Sequence, residues 1–134
     1  MIENLHHYNC ELKRIIDGDT VELIIDLGFN IKIETDLRLE GIDTPEVNSS
    51  NGLEQEAAYR SEVFLGQLIE KEELIVRTKK NDMYGRYIGT LFIKGQHELV
   101  NVNNFMLNHG LGRKYDGGKR KKWTDKELNT IIKK

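Results

Sequence analysis

Every second residue over positions 32–40 is charged, and this alternation restricts the possible fold more than any other feature of the sequence. The charged positions are Lys32, Glu34, Asp36, Arg38 and Glu40. The positions between them are apolar except for Thr35, so the period is that of a β-strand with one buried face. The strand runs into Gly41 and Pro45, which interrupt regular structure. Polar side chains at this strand end are therefore held by a rigid element, where binding and catalytic groups are often mounted.

Two further strands are predicted before this one. Residues 8–16 alternate between apolar and polar side chains, and Asp17-Gly18 turns the chain. Residues 20–26 are rich in β-branched side chains, and residues 27–30 end that strand. The first third of the chain is therefore expected to form three consecutive strands joined by short turns.

A helix is predicted over about residues 53–70. Its expected core-facing residues are Ala57, Tyr59, Val63, Phe64 and Leu68. Two more strands are predicted, around residues 74–76 and 87–93.

The last part of the chain is predicted to be helical. Residues 101–109 form a short helix that Gly110 stops. Thr124 and Glu127 form a capping box, so a final helix should start at Asp125.

Three strands, a helix, two strands and then helices is the order of a five-stranded Greek-key barrel with about three helices, an OB-like fold of the α+β class. A chain of 134 residues is large enough for one core, so residues 1–134 are expected to form a single domain. The lone Cys10 is expected to be a buried thiol, and it excludes an internal disulfide. Because no signal peptide and no long apolar run is present, a cytoplasmic protein without membrane contact is expected, with secretion as the alternative if a leader has been removed.

The charge distribution is uneven although the net charge is only −2. The late segment 113–122 is strongly basic and is opposed only by Asp116, whereas residues 54–73 are rich in glutamate. Two interpretations of the basic segment stay open: a solvated charged face, or a surface that guides a polyanion.

Three short segments hold the candidate chemistry: residues 16–21, 38–46 and 82–86. Each alone has an ordinary explanation. Asp-Gly-Asp suits a hairpin turn. Asp-Thr-Pro-Glu suits a helix start or a turn, with Asp43 or Thr44 capping, and Tyr-Gly-Arg suits an exposed turn.

Together the segments suit a phosphodiester site. Asp19 and Asp43 both lie at strand ends, and two carboxylates ~5 Å apart would repel by roughly 3 kcal/mol unless a cation lies between them. Oxygen ligands without Cys or His favour calcium or magnesium over zinc, and loose coordination suits calcium. Arg38 and Arg86 offer planar donors for a phosphate, and Glu46 is a spare carboxylate that could take a proton from water.

In this order and spacing, the three segments resemble the staphylococcal nuclease (thermonuclease) family. The similarity covers about residues 12–111 and includes the helix that ends in Asn-His-Gly-Leu. The resemblance implies an OB-fold, calcium-dependent endonuclease that acts on single-stranded or loosened DNA and RNA and leaves 3′-phosphate and 5′-hydroxyl ends. It assigns roles to six positions: Asp19, Asp43 and the Thr44 carbonyl bind calcium, Arg38 and Arg86 bind the scissile phosphate, and Glu46 handles the attacking water.

Some positions depart from the family pattern. Met83 stands where the family often has a lysine, whereas Tyr84 keeps the aromatic ring expected beside a sugar or base. Residues 115–120, Tyr-Asp-Gly-Gly-Lys-Arg, look like intracellular and phage-type relatives, and Tyr115 is expected to stack on a base.

The chain is expected to be a monomer. The alternative function is a nuclease-like module that binds nucleic acid or protein without cleavage. Such modules usually lose the acidic and arginine positions, and this chain keeps them. A third, minor alternative gives the acidic pair a purely structural metal.

Overall fold

The computed structural model describes residues 5–81 and 86–134. The strands are β1 His7–Asp17, β2 Thr20–Asp26, β3 Lys32–Leu39, β4 Ile42–Asp43, β5 Leu74–Asn81, β6 Tyr87–Lys94, β7 Leu99–Asn101 and β8 Arg113–Lys114. The helices are α1 Gly52–Ile69, α2 Val102–Asn108 and α3 Asp125–Ile132. None of these helices is long and apolar enough to cross a membrane.

Five strands close into a barrel, which confirms the predicted OB-like α+β fold. β1 pairs antiparallel with β2 and with β5, while β2 pairs with β3 and β5 pairs with β6 in the same sense. The barrel closes where β3 runs parallel to β6, with Leu37 opposite Tyr87 and Arg38 opposite Ile88. This closure places the end of β3, and the turn that follows it, beside the start of β6.

The barrel core is built from the apolar positions that the alternation predicted. Its fully buried side chains include Val21, Leu23, Leu37, Leu39 and Leu91. The prediction fails at the other end of β3, where Ile31 and Ile33 are exposed. There the β2–β3 hairpin turns through Phe29 and Asn30, both with positive φ, and Phe29 is also exposed.

Helix α1 contacts the core through part of the predicted stripe, since Phe64 and Leu68 pack against it, and through small residues. Ala57 is buried as predicted, but Tyr59 is 64% exposed, so its predicted place in the core is wrong. Val63 is also exposed, while Ser61 and Leu65 are buried. Small side chains on the buried face let the helix lie close to the turns at the end of the barrel.

Helices α2 and α3 begin where the sequence predicts. The Asn101 side chain caps α2, and Gly110 follows its end with φ of 73°. Thr124 and Glu127 form the predicted capping box of α3, which begins at Asp125. Leu128 and Ile131 are buried, so α3 folds back onto the domain.

Candidate active site

The candidate site lies at the end of the barrel where the β1–β2 turn meets the segment that leaves β3. Asp19 is held there by its main chain and by both carboxylate oxygens. The Leu39 N–H donates to the Asp19 carbonyl at 2.8 Å. The Thr20 hydroxyl donates to Oδ1 and the Thr44 N–H donates to Oδ2, each at 2.9 Å. These bonds tie the first predicted segment to the second.

Gly18 allows this turn to lie against helix α1. A Cβ at this position would lie 2.7 Å from the Ser61 Cβ and 3.0 Å from the Thr44 Oγ1. Contacts this short require the backbone to move, so the turn needs glycine for space. The Asp-Gly-Asp sequence is therefore a turn that is also packed into the site.

Arg38 lies between the two predicted acidic residues. Its Nη1 donates to the Ile42 carbonyl at 2.8 Å and lies 3.3 Å from the Asp19 Oδ2. Its Nη2 lies 3.8 Å from the Asp43 Oδ1. Arg38 points away from the face of its β3 neighbours as predicted, yet it is only 6% exposed because the polar face of β3 is covered here. Both carboxylates thus contact one buried guanidinium.

Asp43 is surrounded by arginines. It is 1% exposed and pairs with Arg113 in the short β4–β8 ladder. Arg113 Nη2 lies 3.1 Å from the Asp43 Oδ2, and Arg120 Nη2 contacts the Oδ1. Burial raises the pKa of Asp43 above its ordinary value, and the charges of Arg120 and Arg113 counteract that shift.

The predicted water-activating residue and the predicted metal-binding carbonyl share a partner, Arg120. Its Nη1 donates to the Glu46 Oε1 at 2.5 Å, and its Nη2 donates to the Thr44 carbonyl at 3.2 Å. Neither Asp43 nor Thr44 caps helix α1, because Asn51 does so, and the explanation of that segment as a capped helix start is wrong.

The roles of Arg113 and Arg120 within the site were not predicted from the sequence, which indicated only a basic segment. The structure divides that segment, because these two arginines contact Asp43 while Lys119, Lys121 and Lys122 are exposed. The β4–β8 ladder that positions this segment is two residues long, which is too short to give a periodic pattern in the sequence. The one available signal is Trp123 beside the capping box, since its ring packs 3.8 Å from the Arg113 Cζ.

The remaining predicted residues differ in how the structure places them. Tyr115 lies over Arg38, with the Cζ 5.2 Å from the ring centroid, and its N–H donates to the Gly41 carbonyl at 3.0 Å. Arg86 is half-buried and directly precedes β6, two residues before the partner of Arg38. Tyr84 lies outside the described residues.

Asp17 adds a further carboxylate next to the site. Its Oδ1 accepts from the Val47 N–H at 3.2 Å. Burial raises the pKa of Asp17 to about 6, and the charges of Asp19 and Glu46 act in the same direction. Burial and the neighbouring carboxylates thus both favour the protonated form of Asp17.

The donor set fits a hard divalent cation. Among the described residues, no group of three or more His, Cys, Asp and Glu side chains is arranged to hold a metal ion. The set predicted from the sequence needs only two carboxylates and a carbonyl, all oxygen donors. Thr44 Oγ1 is buried and makes no hydrogen bond, so acceptor capacity is left over at this place.

Comparison with known proteins gives three relatives and one family. The family model described as "Staphylococcal nuclease homologue" matches residues 36–134. An uncharacterized protein of Methanocaldococcus jannaschii is 28% identical over 85% of this chain and 62% of its own length. A micrococcal nuclease of Shigella flexneri is 30% identical over 81% of this chain and 59% of its own. Protein ParB of Escherichia coli is 31% identical, with 78% and 56% covered. The chain thus spans about three fifths of the length of these relatives.

Proposed function

The chain belongs to the staphylococcal nuclease family, and from this premise we propose that it is a calcium-dependent endonuclease that hydrolyses phosphodiester bonds of DNA and RNA, leaving 3′-phosphate and 5′-hydroxyl ends. The observation that carries the proposal is the contact of both buried carboxylates, Asp19 and Asp43, with the single guanidinium of Arg38. Burying two carboxylates beside a guanidinium has a high desolvation cost, and a purely structural role would not account for that cost.

Three residues would hold the ion: Asp19 and Asp43 through their carboxylates and Thr44 through its carbonyl. Calcium, when bound, would supply positive charge beside the phosphate and favour the extra negative charge of the transition state. The buried Thr44 Oγ1, which makes no hydrogen bond, is a spare oxygen acceptor on one of these residues and supports this assignment.

The arginines would bind and orient the phosphate. Arg38 is fixed by donation to the Ile42 carbonyl at 2.8 Å and to the Leu39 carbonyl at 3.3 Å, so its guanidinium does not reorganise during the reaction. Arg86 would supply the second guanidinium. It directly precedes β6, and the parallel pairing of β6 with β3 places Ile88 opposite Arg38.

Glu46 would take the proton from the attacking water. The water oxygen bonds to phosphorus, the bond from phosphorus to the 5′ oxygen breaks, and a proton is returned to that oxygen.

Tyr115 and Tyr84 would pack against a sugar or base, which favours strands whose bases are unstacked. A domain with these roles needs no second copy, so we propose a monomer.

The test is cleavage of labelled single-stranded DNA and RNA across calcium and magnesium titrations, with end-group analysis of the products. We expect cleavage that EGTA abolishes and calcium restores. Asp43→Asn should abolish it, whereas Asp26→Asn, an exposed aspartate at the far end of β2, should not. Retention of the strand without cleavage at any metal concentration would instead support a binding module.

A further inference from the structure

The guanidinium of Arg120 contacts the oxygens that the proposed function assigns to the metal ion and the water. It reaches Asp43 Oδ1, the Thr44 carbonyl and Glu46 Oε1 from a segment that lies 74 residues beyond Glu46 in the sequence.

A guanidinium and a divalent ion compete for the same oxygens. Both would use the Asp43 carboxylate and the Thr44 carbonyl, and two like charges that close would repel by several kcal/mol. Binding of one cation therefore disfavours binding of the other, and the equilibrium between them enters the measured affinity.

Arg120 is placed so that it can leave. Its side chain is 36% exposed, and it follows Gly117 and Gly118 in an irregular stretch, with Gly117 at φ of 92°. Arg113 is more firmly held, because its guanidinium stacks on Trp123, pairs with Glu127 and donates to the Lys121 carbonyl. Departure of Arg120 would still leave Arg113 and Arg38 beside Asp43.

We propose that Arg120 is an internal counter-cation that occupies the metal-binding oxygens of the ion-free protein and must be displaced when calcium binds, so that it sets the calcium affinity. Displacement also releases Glu46 from its ion pair, which couples metal binding to exposure of the proposed base. The inference rests on the proposed function, because it takes the same oxygens as the metal site.

The expected effect follows from the occupancy of the competing state. If Arg120 holds these oxygens about nine tenths of the time, the apparent affinity for calcium is about tenfold weaker than that of the vacant set. Removing the guanidinium should recover that factor. Removing a nearby exposed lysine should change only the long-range electrostatic potential at the site. Salt largely screens that potential, so the calcium affinity should change little.

The experiment is calorimetric titration of the full chain with calcium chloride, comparing the parent protein, Arg120→Gln and the matched control Lys119→Gln. We expect Arg120→Gln to bind calcium about tenfold more tightly and Lys119→Gln to stay within about twofold. Arg120→Lys, which keeps the charge but lacks the fork, should fall between the parent and Arg120→Gln and serves if Arg120→Gln does not fold.

The outcomes separate the two proposals. Calcium binding with equal or weaker affinity in Arg120→Gln, or an equal gain in Lys119→Gln, would overturn the counter-cation while leaving the metal site in place. Absence of calcium binding in every variant would overturn the metal site, and the counter-cation with it. In thermal unfolding with EGTA, Arg120→Gln should lose stability and regain more than the parent on addition of calcium.

Discussion

Replacement of Arg38 by lysine tests the central feature of the site, one guanidinium shared by two buried carboxylates. A lysine amine is a single point, so it can stay near Asp19 or near Asp43, which the two Nη atoms now reach at 3.3 and 3.8 Å. Each such contact has a Coulomb energy of about 4 kcal/mol at an effective dielectric of 20. The desolvation cost of the buried charges offsets much of this Coulomb energy. Breaking a buried pair outright costs about 3 to 5 kcal/mol, and lysine keeps one of the two contacts, so we expect Arg38→Lys to lose about 2 to 3 kcal/mol of stability.

The expected effect on catalysis has a separate cause from the effect on stability. Arg38 also donates to the Ile42 carbonyl, so lysine would lose the fixed orientation as well as the second donor. The usual scale for removing one preorganised donor is about a hundredfold in rate, or roughly 2.7 kcal/mol.

Two measurements check this. Chemical unfolding in EGTA gives the stability change, and initial rates of cleavage of denatured DNA in saturating calcium give the rate change. The matched control is Arg14→Lys, because Arg14 also pairs with a carboxylate, that of Glu22 at 2.7 Å, but its side chain is 64% exposed. Exposed pairs contribute about 0 to 1 kcal/mol, so the control should lose little. An Arg38→Lys protein that unfolds and cleaves like Arg14→Lys would refute the shared-guanidinium argument.

Three further predictions concern other parts of the molecule. Gly18→Ala should lose about 1 to 3 kcal/mol in urea unfolding because its Cβ has no room, whereas Gly52→Ala, with open space around it, should lose almost nothing; equal losses would contradict the packing argument. Burial raises the pKa of the Cys10 thiol to about 12, so it should react slowly with a disulfide reagent at pH 8 in the native protein and rapidly in urea. The unfolded thiol ionises near pH 9 and the folded one near 12, so its contribution to stability should fall as the pH rises between these values. Charge reversal at Lys119 and Lys121 should weaken the salt dependence of cleavage if the basic segment guides the polyanion, and an unchanged salt slope would contradict that role.

The sequence predicts the barrel well because its signals are local. Alternation marks the strands at the level of single residues, and β2 begins at Thr20 and ends at Asp26 as predicted. Side-chain caps mark the helix starts, as Thr124 and Glu127 do for α3. Tyr59 shows the limit of this reasoning, because periodicity identifies an amphipathic helix more securely than the exact edges of the face that lies against the core.

By itself, the sequence determined which groups the β1–β2 turn and the end of β3 carry, because turn chemistry and strand period depend on neighbouring residues. Only the tertiary structure decided which charges surround Asp43. Arg113 lies 70 residues from Asp43, and Arg120 lies 76 residues from the Thr44 carbonyl that it contacts. Contacts across such separations depend on barrel closure and on the packing of α3, and no local pattern encodes them.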